Sequence, residues 1–268
     1  QGSPLSITGL PATARFPALR KLTCVGTNDD TDACDRLCTV CENLEDVYLM
    51  NCRMKPKNVS SLCSLKSLAY FSLRLCPSSD PISMSAAFGD LANANGSNFR
   101  SIEIISGMFD PTKFFSGVRC KYLRHVKLNR CKFSEEAGVA LADNARSTLA
   151  KIECLQVHGM FLPGLLSRQC EVAHVVIEDG SDELLSKIGE KSKAPIRQLE
   201  LRATRTDAIS DLGLLALTPA LSQVIILQLK GLGESKITLQ GIVSMTSNCP
   251  AIQVLEVPNH LRDRKSVV

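Results

Sequence analysis

Apolar residues recur along this chain with a spacing that is neither the two-residue alternation of a strand nor the stripe of a helix. In "CENLEDVYLMNC" (Cys41–Cys52) they fall at Leu44, Val47 and Leu49, and a cysteine closes the run. The unit reads apolar-x-x-apolar-x-apolar. It recurs from Leu19, Leu44, Leu68, Phe99, Leu123, Ile152, Val172, Ile196, Val224 and Ile252, and all 30 framework positions are apolar. The start points lie about 26 residues apart on average, with steps from 20 to 31. A period of this length is the signature of a solenoid, in which each unit buries its apolar face only by stacking on its neighbours.

Each unit predicts a short strand whose framework side chains point to a core, leaving the intervening ones to solvent. Helix-like return segments follow at Thr31–Cys41, Asn58–Leu65, Ser134–Arg146, Ser181–Lys191, Ile209–Leu217 and Leu239–Ser247. In the third and longest of the nine steps, between Leu68 and Phe99, "CPSSDPISMSAAFGDLANANGSN" reads as a surface insertion because of its Pro, Ser and Gly content. The expectation is an α/β solenoid of about ten irregular repeats, with a parallel sheet on the concave face and helices on the convex one. Residues 1–18 would be a lead-in or cap, 19–260 the repeat domain and 261–268 a tail. Solenoid ends need polar caps, so the native chain is expected to continue past this tail or to meet a partner there.

Cysteine closes the units at Cys52, Cys76 and Cys131, and Cys-x-x-apolar leads into them at Cys41–Leu44, Cys120–Leu123 and Cys249–Ile252. With "ITLQGIVSMTSNCPAIQVLEV", these features resemble the cysteine-containing leucine-rich repeat found behind F-box motifs, a subtype similar to the ribonuclease-inhibitor-like class. The resemblance implies a leucine-rich-repeat fold and a non-enzymatic scaffold that binds another protein on its concave face. It also admits the substrate-recognition domain of a cullin-type ubiquitin ligase adaptor, although residues 1–18 do not contain an F-box. Two enzyme-associated relatives fit less well. The GTPase-activating proteins of this architecture favour Asn at the closing position, which is absent here, and the bacterial ligase effectors carry a separate catalytic domain.

Composition narrows the chemistry. With no Trp and 4% aromatic residues, the interior is expected to be aliphatic. Most of the twelve cysteines sit inside apolar runs, which suggests reduced thiols in a cytoplasmic or nuclear protein rather than a disulfide framework. No apolar run reaches the roughly 20 residues that span a bilayer, and the start of the chain lacks the apolar core of a secretory signal. Asn58 and Asn95 begin short glycosylation-type sequons, a pattern common by chance. Cys38-x-x-Cys41 lacks a second pair to complete a zinc site. No phosphate-binding glycine loop or nucleophile–histidine–acid pattern stands out, so no cofactor is expected.

The four histidines all lie in repeat strands. In the register above, His125, Cys154 and His174 share the third position of consecutive units, and such a ladder could in principle share a metal; the plainer reading is a solvated polar row, so no metal is expected. The partner surface is expected at the alternate positions of repeats two to five: Tyr48, Met50, Tyr70, Arg74, Leu75, Arg100, Glu103, Ile105, Arg124, His125, Lys127 and Arg130. Tyrosine and arginine beside exposed aliphatics are the residue types of interaction hot spots. Five basic residues against one acid point to an acidic segment on a protein partner. A net charge of +4 with two tyrosines on this surface is too little for a nucleic-acid groove, which stacks bases on aromatics. The C-terminal "KSVV" could be taken as a carboxylate ligand of PDZ type.

Overall fold

The computed structural model describes residues 14–25, 36, 38–52, 55–74, 80–96, 98–105, 110–117, 121–157, 159–203, 209–231, 236–257 and 261. The chain divides into two compact units, Gln1–Leu123 and Arg124–Val268. In the first, four parallel strands follow one another in chain order: β1 (Lys21–Val25), β2 (Asp46–Met50), β3 (Tyr70–Arg74) and β4 (Ser101–Ile105). Helices Pro56–Leu62, Pro81–Asn95 and Thr112–Gly117 return the chain. The second unit continues the plan with β5 (His125–Asn129), β6 (Lys151–Leu155), β7 (His174–Glu178), β8 (Gln198–Arg202), β9 (Ile226–Lys230) and β10 (Val254–Glu256). Its helices are Glu135–Asn144, Phe161–Leu166, Asp182–Lys191, Asp211–Leu217 and Leu239–Ser247. A strand and a helix per repeat, with the described strand pairs all parallel, make this an α/β leucine-rich-repeat solenoid.

The framework residues are the core. Leu44, Val47 and Leu49 are buried, as are their equivalents Leu68, Phe71 and Leu73, Phe99, Ile102 and Ile104, and Leu123, Val126 and Leu128. At the two ends the burial fades. Leu22 and Cys24 of β1 are half-buried, and Val254 and Leu255 of β10 are exposed.

Among the described residues, β2, β5, β6, β7 and β9 each end in a sharp turn. Asn51, Arg130, Gln156 and Asp179 occupy the same place after their strands, each with φ between 51° and 54°, and Gly231 takes it with φ 67°. The turn residue is thus the one before the closing cysteine. Cys52 follows it and points its thiol at the carbonyls of Met50 (3.3 Å) and Cys24 (3.6 Å), while the Cys131 thiol reaches the Asn129 carbonyl at 3.1 Å. A small side chain with a weak donor suits the tight space of this turn.

Three expectations are corrected. The sixth unit begins at Leu149, not Ile152: β6 pairs Ile152 with Val126 and Cys154 with Leu128, so Cys154 is a buried framework residue. Ile152, Leu155 and Val157 also fit the apolar spacing, which hid the shift. The supposed insertion contains the 15-residue helix Pro81–Asn95, with Asp80 accepting from the Ser83 N–H at its N-cap and Pro81 in the first turn. Met84, Phe88 and Leu91 of that helix are buried. Nor is the interior purely aliphatic. Phe71, Phe88, Phe99, Phe114 and Phe115 are fully buried, with ring centroids 5.5 to 6.0 Å apart in successive pairs.

Candidate functional site

The sheet face turned away from the helices is where the alternate strand positions emerge. In the first unit the register aligns three rows across β1–β4: Lys21, Asp46, Tyr70 and Ser101; Thr23, Tyr48, Ser72 and Glu103; and Val25, Met50, Arg74 and Ile105. Tyr48 and Tyr70 stack with ring centroids 4.7 Å apart, and the Lys21 ammonium sits 4.7 Å from the Tyr48 ring centre. Both contacts fit the quadrupole of an aromatic face.

Glu103 anchors this cluster. Its carboxylate is almost fully buried, although it lies on the open face. One oxygen, Oε2, accepts from Ser72 Oγ (2.7 Å), Arg74 Nε (3.0 Å), Arg74 Nη2 (2.7 Å) and, more distantly, Tyr70 Oη (3.4 Å). A buried carboxylate is tolerable only when it is so supplied. Burial, with Glu103 and Tyr48 adding to it, pushes the Tyr70 phenol up to about 12, so the phenol stays a neutral donor.

Of the expected surface, Tyr48, Met50, Tyr70, Arg74, Glu103 and Ile105 therefore share one face in the first unit. Glu103 is the internal partner of Arg74 rather than an outward acid. Arg100 is exposed but precedes its strand, at the leading edge of the sheet, and Leu75 lies outside the described residues.

In the second unit the rows run His125, Lys151, His174, Gln198, Ile226 and Val254, then Lys127, Glu153, Val176, Glu200, Gln228 and Glu256. His125 and Lys127 stand on the open face, Arg124 at its leading edge and Arg130 in the turn after β5. Lys151, not Cys154, stands between the two histidines, so the expected His125–Cys154–His174 ladder does not form. Among the described residues no group of three or more His, Cys, Asp or Glu is placed to hold a metal. Buried His174 Nε2 has no hydrogen-bond partner among the described residues, and burial lowers its basicity. His158 is not among the described residues.

The sheet's charges are largely paired with one another. Glu153 Oε1 lies 3.2 Å from His125 Nε2 and 2.6 Å from Lys151 Nζ. Those neighbours, His125 first, hold its carboxyl at about 2 against the opposing effect of burial. Glu200, nearly buried, is bracketed by Arg202 Nε at 2.8 Å and Lys230 Nζ at 2.9 Å. Burial works against ionisation of Glu200, but its hydrogen bonds from Arg202 and Lys230 prevail and its pKa falls. In the turns, Arg130 Nε donates to Gln156 Oε1 (3.0 Å) and Gln156 Nε2 to Asp179 Oδ2 (3.1 Å).

Sequence reasoning missed Lys21, Ser72, Lys151, Glu153, Glu200, Arg202 and Lys230. The strand pattern carries the signal for most of them: acids at the fifth position of units four, six and eight, each with a cation two residues or one strand away. It becomes readable only once the sixth unit is in register.

The described part of the chain is thus a leucine-rich-repeat solenoid presenting a polar, internally wired sheet face. Among solved structures, 35 chains match this one. One belongs to the crystal structure of a complex of Rad7 and Elc1 from yeast, with a TM-score of 0.51 and 16% identity over 89% of this chain. The present chain spans 63% of the length of that one. No protein-family model and no curated protein matches it. No described helix is long and apolar enough to cross a membrane.

Proposed function

We propose that the protein is a non-enzymatic protein–protein interaction scaffold whose partner lies across the open sheet face at Tyr48, Met50, Tyr70, Arg74 and Ile105. The observation that carries the reading is the stacked Tyr48–Tyr70 pair, fixed from beneath by a buried carboxylate. Held tyrosines offer large amphipathic contact area at little entropic cost, which is the quality of an interaction anchor. Likeness to a chain from a two-protein complex is consistent with this use. Wild type and a Tyr48→Ala/Tyr70→Ala variant should be compared as baits in native extract. Loss of a specific partner by a folded variant supports the reading; equal recovery of every specific partner by both removes it.

A second reading, the substrate-recognition part of a cullin-type ubiquitin ligase adaptor, rests on the cysteine-containing repeat pattern. Purified ligase subunits that fail to join the full-length protein would remove that reading without touching the first.

A further inference from the structure

On the open face of the second unit, carboxylates and cations neutralise each other: Glu153 holds Lys151 and Glu200 holds both Arg202 and Lys230. The leading edge of the same sheet differs. Arg124 and Arg197 occupy equivalent positions just before β5 and β8, and the two strands between them carry Ala150 and Ala173 there. Arg146 and Lys193 precede Ala150 and Arg197 of this row in the turns that lead into β6 and β8. Arg124, Arg146, Lys193 and Arg197 are all exposed, and none forms an ion pair among the described residues. Arg146 is held in place by neutral acceptors, the Gln169 carbonyl (2.9 Å) and Oε1 (3.2 Å), which orient its guanidinium without cancelling its charge. Arg168 is matched by Asp143 at 3.5 Å, which leaves Glu171 as the exposed unpaired acid of these turns.

The backbone of the row is already committed. The Arg124, Ala150, Ala173 and Arg197 carbonyls each accept two N–H groups from the next strand, as Ala150 and Lys151 do to Arg124. Strand addition is therefore closed to a ligand here, and side-chain charge is what the edge offers. Arg124 and Arg197 are three strand spacings apart, about 14 Å, which an extended segment of about five residues covers. The alanines keep the ground between them low.

We propose that this edge docks an acidic protein segment, with aspartate or glutamate side chains reaching Arg124 and Arg197 at its ends and Arg146 and Lys193 alongside. The inference rests on the scaffold reading and moves the acid-binding cations from the sheet face to its leading edge. Arg74, expected there from the sequence, is instead held by Glu103.

The test uses the full chain and a fluorescent hexaglutamate peptide, followed by anisotropy at low and physiological salt, with hexaglutamine and a single-stranded oligonucleotide as comparison probes. The expected result is glutamate-selective binding that weakens at least tenfold in Arg124→Glu/Arg197→Glu and is little changed in Lys66→Glu/Lys113→Glu, which alters net charge equally at exposed sites of the first unit. Arg124→Gln/Arg197→Gln serves if the charge reversal disturbs folding. Equal weakening in both pairs, or no glutamate binding, overturns the proposal. Tighter binding of the oligonucleotide, lost in the same variant, overturns it in favour of nucleic acid. Edge variants that keep every partner lost by Tyr48→Ala/Tyr70→Ala would sink this inference alone and leave the scaffold reading standing.

Discussion

At the residue scale, two carboxylates of the sheet face, buried Glu103 and half-buried Glu153, make different kinds of prediction. Glu103 gathers Ser72, Arg74 and Tyr70 on one oxygen, so Glu103→Gln exchanges charge-assisted bonds for neutral ones. Such bonds contribute about 1.5–3 kcal/mol each, of which the amide keeps a part, so a net loss of about 2 kcal/mol is expected in denaturant unfolding. The same change should lower the Tyr70 pKa from about 12, because Glu103 helps to raise it, while burial keeps it above the usual phenol value. Phenolate absorbance against pH checks this; an unmoved Tyr70 would show the carboxylate to be uncoupled from the ring. Glu153 tests pH. Its folded pKa of about 2 lies below the ordinary 4.5, so its contribution is fully present above pH 4.5 and disappears as the pH falls towards 2. The stability gap between wild type and Glu153→Gln should narrow across that window, as read by melts at several pH values. A gap that stayed constant would mean that His125 and Lys151 do not favour the ionised form.

At the element scale, neighbouring repeats are clasped through helix starts. Asp182 bonds the N–H of Ser210 at 2.8 Å and its hydroxyl at 2.5 Å, and Ser210 caps its own helix through the Leu212 N–H. One repeat on, Asp211 does the same to Thr238 at 2.8 and 2.7 Å, and Thr238 caps onto Gly241. Glycine follows three residues after each cap because the aspartate of the previous helix fills the space: a methyl on Gly213 or Gly241 would overlap the Asp182 or Asp211 carboxylate. Asp211→Ala should cost about 1–2 kcal/mol, the range of a lost N-cap, by removing both bonds that hold Thr238, the cap of the next helix. Gly241→Ala should cost at least as much, and less when combined with Asp211→Ala, since the overlap then vanishes. Additive effects in the double variant would contradict the clasp. Most of this layer was legible beforehand. The helices at Asp182–Lys191, Asp211–Leu217 and Leu239–Ser247 follow their apolar stripes and caps. Helix Pro81–Asn95 was not, because Pro, Ser and Gly are breakers in isolation, and only Asp80 at the cap makes Pro81 an initiator. The short helices Thr112–Gly117 and Phe161–Leu166 span less than two turns and leave no periodicity to detect.

Across the whole molecule, stability is a sum of local interfaces, because a repeat touches chiefly its sequence neighbours. The spacing of thirty apolar residues displayed that plan, and it failed only where Ile152, Leu155 and Val157 imitate the true frame of Leu149, Ile152 and Cys154. The face chemistry was less visible, since which acid meets which cation depends on that register. The register also supplies its own probe. Cys154 pairs across the strands with Leu128; it is buried, and burial drives its thiol pKa far up, so native labelling should require the repeat to open. Leu128→Ala removes side-chain atoms from the packed interior, a change that costs about 2–5 kcal/mol. If opening is local, Cys154 should then react roughly thirtyfold faster or more, at 1.4 kcal/mol per factor of ten. Cys249, buried four repeats further on, should change far less, because the lost contacts are not its own. Thiol labelling read by peptide mapping measures both rates at once. Equal acceleration of Cys154 and Cys249 would mean that the second unit opens as one cooperative body, and a chain of nearest-neighbour interfaces would no longer describe it.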